Sequence, residues 1–96
     1  MPKVLLYITA RFTWIFLFYG TDYNENRAHI HVGKKGMEKL CKIWLEPTIS
    51  IDDPGELTPT QQKQVLQIVS ENKDTLIKQW RLFKAGKNVR LLIIKK

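Results

Sequence analysis

From Phe12 to Tyr19 the chain reads Phe-Thr-Trp-Ile-Phe-Leu-Phe-Tyr, a run with one small polar side chain. β-Branched and aromatic residues at this density favour a strand. Successive side chains of a strand point to opposite faces. A run that is apolar on both faces therefore needs cover on both, which makes it a central strand. Lys3 to Ile8 reads as a second strand, joined to the first through Thr9-Ala10-Arg11.

The same apolar richness raises the question of a leader or a membrane span. Lys3 and Arg11 interrupt the stretch, and no small-residue cleavage site follows. A span needs about 20 nearly uncharged residues. Buried strands account for the segment better, and a cytoplasmic protein with no membrane role is expected. Cys41 is the single cysteine, so no intrachain disulfide forms, and a reducing compartment fits. With 96 residues and 44% hydrophobic content, one core suffices. We read residues 1–87 as a single domain and residues 88–96 as a basic C-terminal extension.

After a polar loop from Gly20 to Asn26, Arg27-Ala28-His29-Ile30-His31-Val32 alternates polar and apolar. This period of two predicts a strand with Arg27, His29 and His31 on one face. Gly33-Lys34-Lys35-Gly36 reads as a turn and residues 38–46 as the returning strand. If Cys41, Ile43 and Leu45 face the core, Lys42 and Trp44 join the histidine face. The expected register sets His31 near Leu40, His29 near Lys42 and Arg27 near Trp44. Pro47 ends this strand, and a short strand at 49–51 is a further candidate. Thr58-Pro59-Thr60-Gln61 carries a capping box with proline at the first helical position. Val65, Leu66, Val69, Leu76, Ile77, Trp80 and Phe83 recur at helical spacing up to Gly86, with a polar gap at Asn72-Lys73-Asp74. The expected fold class is α+β: an antiparallel sheet of about four strands, then one long kinked helix or a helix pair packed on one face. Val89 to Ile94 is β-prone and suits an edge strand or a docking segment.

The net charge of +7 is placed unevenly. Residues 1–75 balance nine basic against nine acidic side chains, whereas residues 76–96 hold seven basic ones and no acid. A block of this kind suits an anionic partner, or else a solvated helix end.

His29 and His31 are the only histidines, roughly 6.7 Å apart if extended at ~3.3 Å per residue. Such a pair on one strand face suits three kinds of chemistry. It presents two imidazoles to a divalent metal, with Asp22, Glu25 or Glu38 as the candidate third ligand. It supports acid–base catalysis on a phosphodiester, with His29 and His31 as the catalytic residues and Arg27 or Lys42 stabilising charge. With Arg27, Lys42 and Trp44 it also makes a basic surface with an aromatic platform, extended by Lys34 and Lys35 at the hairpin tip.

Phe16-Leu17-Phe18-Tyr19, Asn24-Glu25, His29-Ile30-His31-Val32, Lys42-Ile43-Trp44-Leu45-Glu46-Pro47 and the late helical Trp80 occur in an order that is specific as a set. In this the chain resembles a family of small bacterial proteins catalogued as a domain of unknown function, family 4160. The resemblance covers residues 1–87. It implies an antiparallel sheet packed by helices and no established reaction. Genes of the family often lie beside another small gene, which implies a two-gene module of the toxin–antitoxin kind. The family usually carries two prolines where this chain has Arg27 and Ala28.

The leading expectation is a binding module that engages a partner protein encoded nearby, or RNA, through the His29/His31 face and the basic tail. The alternative is a small phosphodiesterase or ribonuclease-like enzyme, or a metal-binding protein, using the same pair. No cofactor is expected beyond a divalent metal. The sequence leaves open whether any reaction is catalysed.

Overall fold

The computed structural model describes residues 2–96. Six strands form one sheet: β1 (Lys3–Ile8), β2 (Thr13–Leu17), β3 (His29–Gly33), β4 (Cys41–Trp44), β5 (Ser50–Asp53) and β6 (Leu92–Lys95). Two helices, α1 (Pro59–Glu71) and α2 (Lys73–Lys84), lie between β5 and β6 in the chain. Across the sheet the order is β5-β4-β3-β2-β1-β6, antiparallel throughout except for the β1–β6 pair. The α+β class is the one expected, and β2 is central as its two-sided apolar run demands. The sheet has six strands rather than about four, because the short segments 50–53 and 92–95 both pair, one at each edge. Residues 88–96, read as an extension, thus end in a strand of the same sheet.

Register sorts the side chains into two faces. Phe16, Val32 and Cys41 align across three strands, and Ile30 and Ile43 pair across two. These five are fully buried. α1 covers this face, contributing Val65, Ile68 and Val69 to the same core. Its Gln64 and Ile68 line a surface hollow with Tyr7 and Trp14 of the sheet. The second face carries Leu17, His31 and Lys42 in one row, with His29 and Trp44 paired beside them.

Helix boundaries follow local chemistry. Thr58 Oγ1 accepts from the Gln61 N–H at 3.2 Å, and Gln61 Oε1 accepts from the Thr58 N–H at 3.0 Å, closing the capping box. Asn72 leaves helical geometry at φ −118°, and its side chain donates to Ile68 O at 2.8 Å, so the apolar stripe breaks where its polar gap lies. α2 ends in a Schellman motif. Gly86, at φ +72°, donates to Phe83 O, and Lys87 donates to Leu82 O. Trp80 of α2 meets Phe18, just beyond β2, and His29, the first residue of β3. α2 therefore closes this end of the sheet.

Candidate metal centre

The histidines share a face, as the alternation of β3 requires, but that face is not open. His29 has no exposed surface and His31 retains 9%. The reason lies in the polar loop before β3. Residues Gly20–Asn24 form a 3₁₀ turn, and Asp22 in that turn is itself 3% exposed. Asp22 Oδ2 accepts from the Tyr19 N–H at 2.7 Å, which fixes the turn and aims the carboxylate at β3. Lys84 of α2 donates to the backbone oxygens of Tyr23 and Glu25 and so pins the loop down from above. Tyr19 lies edge-on to His31 at 4.4 Å, and Trp44 and Trp80 flank His29 at 5.6 and 4.8 Å.

The cross-strand register also corrects the expectation. His29 lies opposite Trp44 and His31 opposite Lys42, two residues from the pairing anticipated. A shift of two keeps every side chain on its face, whereas a shift of one would reverse them. The shift arises because the hairpin connection is longer than the glycine-bracketed turn. Met37 N–H donates back to Lys34 O, and the Glu56 carboxylate accepts from the Glu38 and Lys39 N–H groups. These contacts hold residues 34–40 outside the ladder.

Within this enclosure three groups converge. Asp22 Oδ1 stands 3.0 Å from His29 Nε2, and Asp22 Oδ2 stands 3.1 Å from His31 Nε2. The ligand atoms of the three residues all fall within 4.8 Å of one another. His29 Nδ1 is 2.9 Å from the carbonyl oxygen of Arg27. A carbonyl only accepts, so Nδ1 carries the proton in that contact. When Nδ1 alone is protonated, Nε2 presents a lone pair towards Asp22. It has hydrogen-bond distance but no hydrogen-bond geometry, and among the described residues it is the one buried side-chain nitrogen or oxygen without a partner. Two lone pairs facing each other at 3.0 Å repel unless positive charge lies between them.

Burial presses the Asp22 carboxyl upward. A proton shared with His29, the Tyr19 amide and positive charge on either imidazole outweigh it and hold the group below its ordinary value. Burial lowers His31, against the pull of Asp22 and with the help of His29 and Lys42. At neutral pH Asp22 is thus a carboxylate and His31 a neutral imidazole, the forms in which each ligates.

The other residues singled out from sequence fall into distinct places. Arg27, Lys42 and Trp44 form a rim: the Arg27 guanidinium lies 4.1 Å and the Lys42 ammonium 4.4 Å from the Trp44 ring centre. Glu25, a candidate third ligand, pairs with Lys42 at 3.3 Å and approaches the Nδ1 side of His29 at 3.8 Å, away from Nε2. Glu38 sits in the exposed hairpin connection. Lys34 lies on the Phe12 ring at 4.8 Å, and Lys35 is exposed beside it at the hairpin tip, beyond the end of β3 remote from His29. Cys41 faces the α1 core as expected, where burial, with the nearby Asp53 charge, raises its thiol to about 12. Tyr19, Trp80 and Lys84 escaped the sequence reading as parts of this enclosure. Tyr19 carried one signal, as the last aromatic before a polar loop.

The family model for a domain of unknown function, DUF4160, matches residues 13–81. No curated protein and no solved structure matches the chain.

Proposed function

The chain belongs to the DUF4160 family, and within it we propose that this protein is a small binding domain whose centre holds one first-row divalent cation. The ligands are His29 Nε2, His31 Nε2 and a carboxylate oxygen of Asp22. The observation that carries this reading is the fully buried, unpartnered His29 Nε2 aimed at a buried carboxylate. Zinc binds nitrogen and oxygen at about 2.0–2.1 Å in tetrahedral sites, which places neighbouring ligand atoms roughly 3.3 Å apart. Asp22 Oδ1, taken as the single carboxylate ligand atom, lies 3.0 Å from His29 Nε2 and 3.3 Å from His31 Nε2, close to that spacing. Two imidazoles and one carboxylate suit zinc, iron(II) or manganese. The Arg27 carbonyl holds the His29 ring in the required tautomer, as an outer partner commonly does at metal histidines.

Three protein ligands leave a coordination position for water, which is the basis of the hydrolytic alternative. Burial argues against turnover of a polymer. Of the three side chains only His31 has appreciable exposure, at 11%. The cation is on this reading a fixture of the domain, tying the loop to the sheet. Engagement of a partner protein or RNA then falls to residues outside the closed pocket, among them Arg27, Lys42 and Trp44.

Equilibrium dialysis of the metal-free protein against zinc tests this. One ion per chain is expected, with at least a hundredfold loss of affinity in Asp22→Asn and His31→Ala and no change in Glu38→Ala. Stoichiometric binding that survives Asp22→Asn would sink the assignment.

A further inference from the structure

The two edges of the sheet differ. β5 is short, its register with β4 shifts at Lys42/Ile43, Asp52 and Asp53 belong to it, and Pro54 follows at once. Irregularity, charge and proline are the usual means of keeping an edge from recruiting another strand. β6, also four residues long, ends in Lys95 but has no irregularity and no proline within its span. Its register with β1 runs unbroken from Leu92 to Lys95, and among the described residues no strand lies on its outer side. Every second backbone group on that side lacks a ladder partner.

β6 is also held ready. Gln79, 4% exposed on α2, accepts from the Arg90 N–H at 3.1 Å and donates to the Arg90 carbonyl. At the far end the Lys96 N–H donates to Ile8 O at 2.8 Å. The segment is thus fixed at both ends before anything pairs with it. Leu92 and Ile94 turn inward, while Leu91 is 47% and Ile93 56% exposed. With Tyr23 these are the large hydrophobics most open to solvent among the described residues.

We infer that the outer edge of β6 accepts an extended, acidic segment of a partner protein as a seventh strand, with apolar side chains of that segment resting on Leu91 and Ile93. Backbone pairing supplies affinity in this mode and alternate side chains supply selectivity. The charge decides the partner. Arg90, Lys95 and Lys96 bracket the edge and residues 76–96 hold no acid to offset them, whereas Lys84 and Arg81 are engaged elsewhere, by the loop carbonyls and by Glu46. A second copy bringing its own β6 would meet like charge. RNA would match the charge but leave the free backbone row and the exposed aliphatic side chains unused.

The test uses the full chain and fluorescent eight-residue peptides alternating Glu with Val or Ile, alongside Lys-for-Glu peptides and a single-stranded RNA of the same length. The acidic peptides are expected to bind, at least tenfold more weakly at 500 mM than at 50 mM salt, and to protect β6 amides from hydrogen exchange. Leu91→Ser/Ile93→Ser, both at exposed positions, is expected to weaken binding tenfold or more with an unchanged circular dichroism spectrum. The inference is overturned if the acidic peptides fail to bind, if the folded double variant binds them equally, if RNA binds more tightly at the same edge, or if sedimentation shows dimers that the double variant abolishes.

Discussion

Ile30 and His29 are neighbours on β3, both with no exposed surface, and they point to opposite faces of the sheet. Ile30 is buried among hydrocarbon beneath α1, where each contact is replaceable by another of similar shape. His29 is enclosed by a carboxylate, a second imidazole and two indoles, under a loop held down by a lysine. Equal burial thus has two different physical grounds. One face is closed because water leaves it. The other is closed around polar groups that need a cation or proton to be at peace. The first makes the fold; the second is where a ligand has something to gain.

Substitutions should separate the two. Ile30→Ala opens a cavity in the α1 core and is expected to cost about 2–5 kcal/mol in denaturant unfolding. A loss well under 1 kcal/mol would mean that the core is far looser than its burial implies. Saturating zinc acts on the other face. At a hundredfold excess over Kd, linkage gives about 2.7 kcal/mol, which for a domain of this size raises Tm by roughly 10–20 °C. The rise should vanish in Asp22→Asn. A variant that keeps it would place the ion elsewhere.

His29→Leu sharpens the contrast further. It removes the lone pair set against Asp22 while filling a similar volume. Metal-free stability should change by only about 1 kcal/mol, because relief of the lone-pair contact with Asp22 offsets loss of the Nδ1–H that the Arg27 carbonyl accepts. Zinc binding should be lost at the same time. A loss as large as that of Ile30→Ala would show that His29 is held by bonds beyond its contact with the Arg27 carbonyl.

Acid should act on the polar face first. His31 is lowered from 6.5 by burial, so as pH falls below about that value the unfolded chain takes up a proton before the folded one. The stability contributed by neutral His31 is full above that pH and declines as pH falls through the folded-state value. Asp22, also lowered, adds a loss in the same direction below its ordinary 3.8. Tm of the metal-free protein should therefore fall between pH 7.5 and 5, and His31→Gln should flatten that part of the curve. A flat wild-type profile would contradict the assignment. The smallest expected effect is at Cys41. Fully buried on the hydrocarbon face, with its thiol raised to about 12, it should resist alkylation at pH 8 until the protein unfolds.

Much of this architecture was legible in local patterns. The alternation around Ile30 fixed which side chains share a face, the capping box set the start of α1, and the gap at Asn72 set its end. The edges were harder. β5 and β6 are four residues each, too short for periodicity to prove, and β6 pairs with β1 across nearly the whole chain. Burial of the histidines is hidden from the sequence for a related reason. Alternation reports the face but not the lid, and the lid depends on the Asp22 turn and on Lys84, about 60 residues later. Spacing could not say which of Asp22, Glu25 and Glu38 lies against the histidines, because the Tyr19 amide and the reach of one turn decide that.

X-ray absorption at the zinc edge of the loaded protein reads the centre most directly. Two imidazoles with one further oxygen shell at about 2.0–2.1 Å are predicted, as expected for His29, His31 and Asp22. A sulfur shell near 2.3 Å, which only Cys41, Met1 or Met37 could supply, or a first shell with no imidazole scattering, would contradict the account.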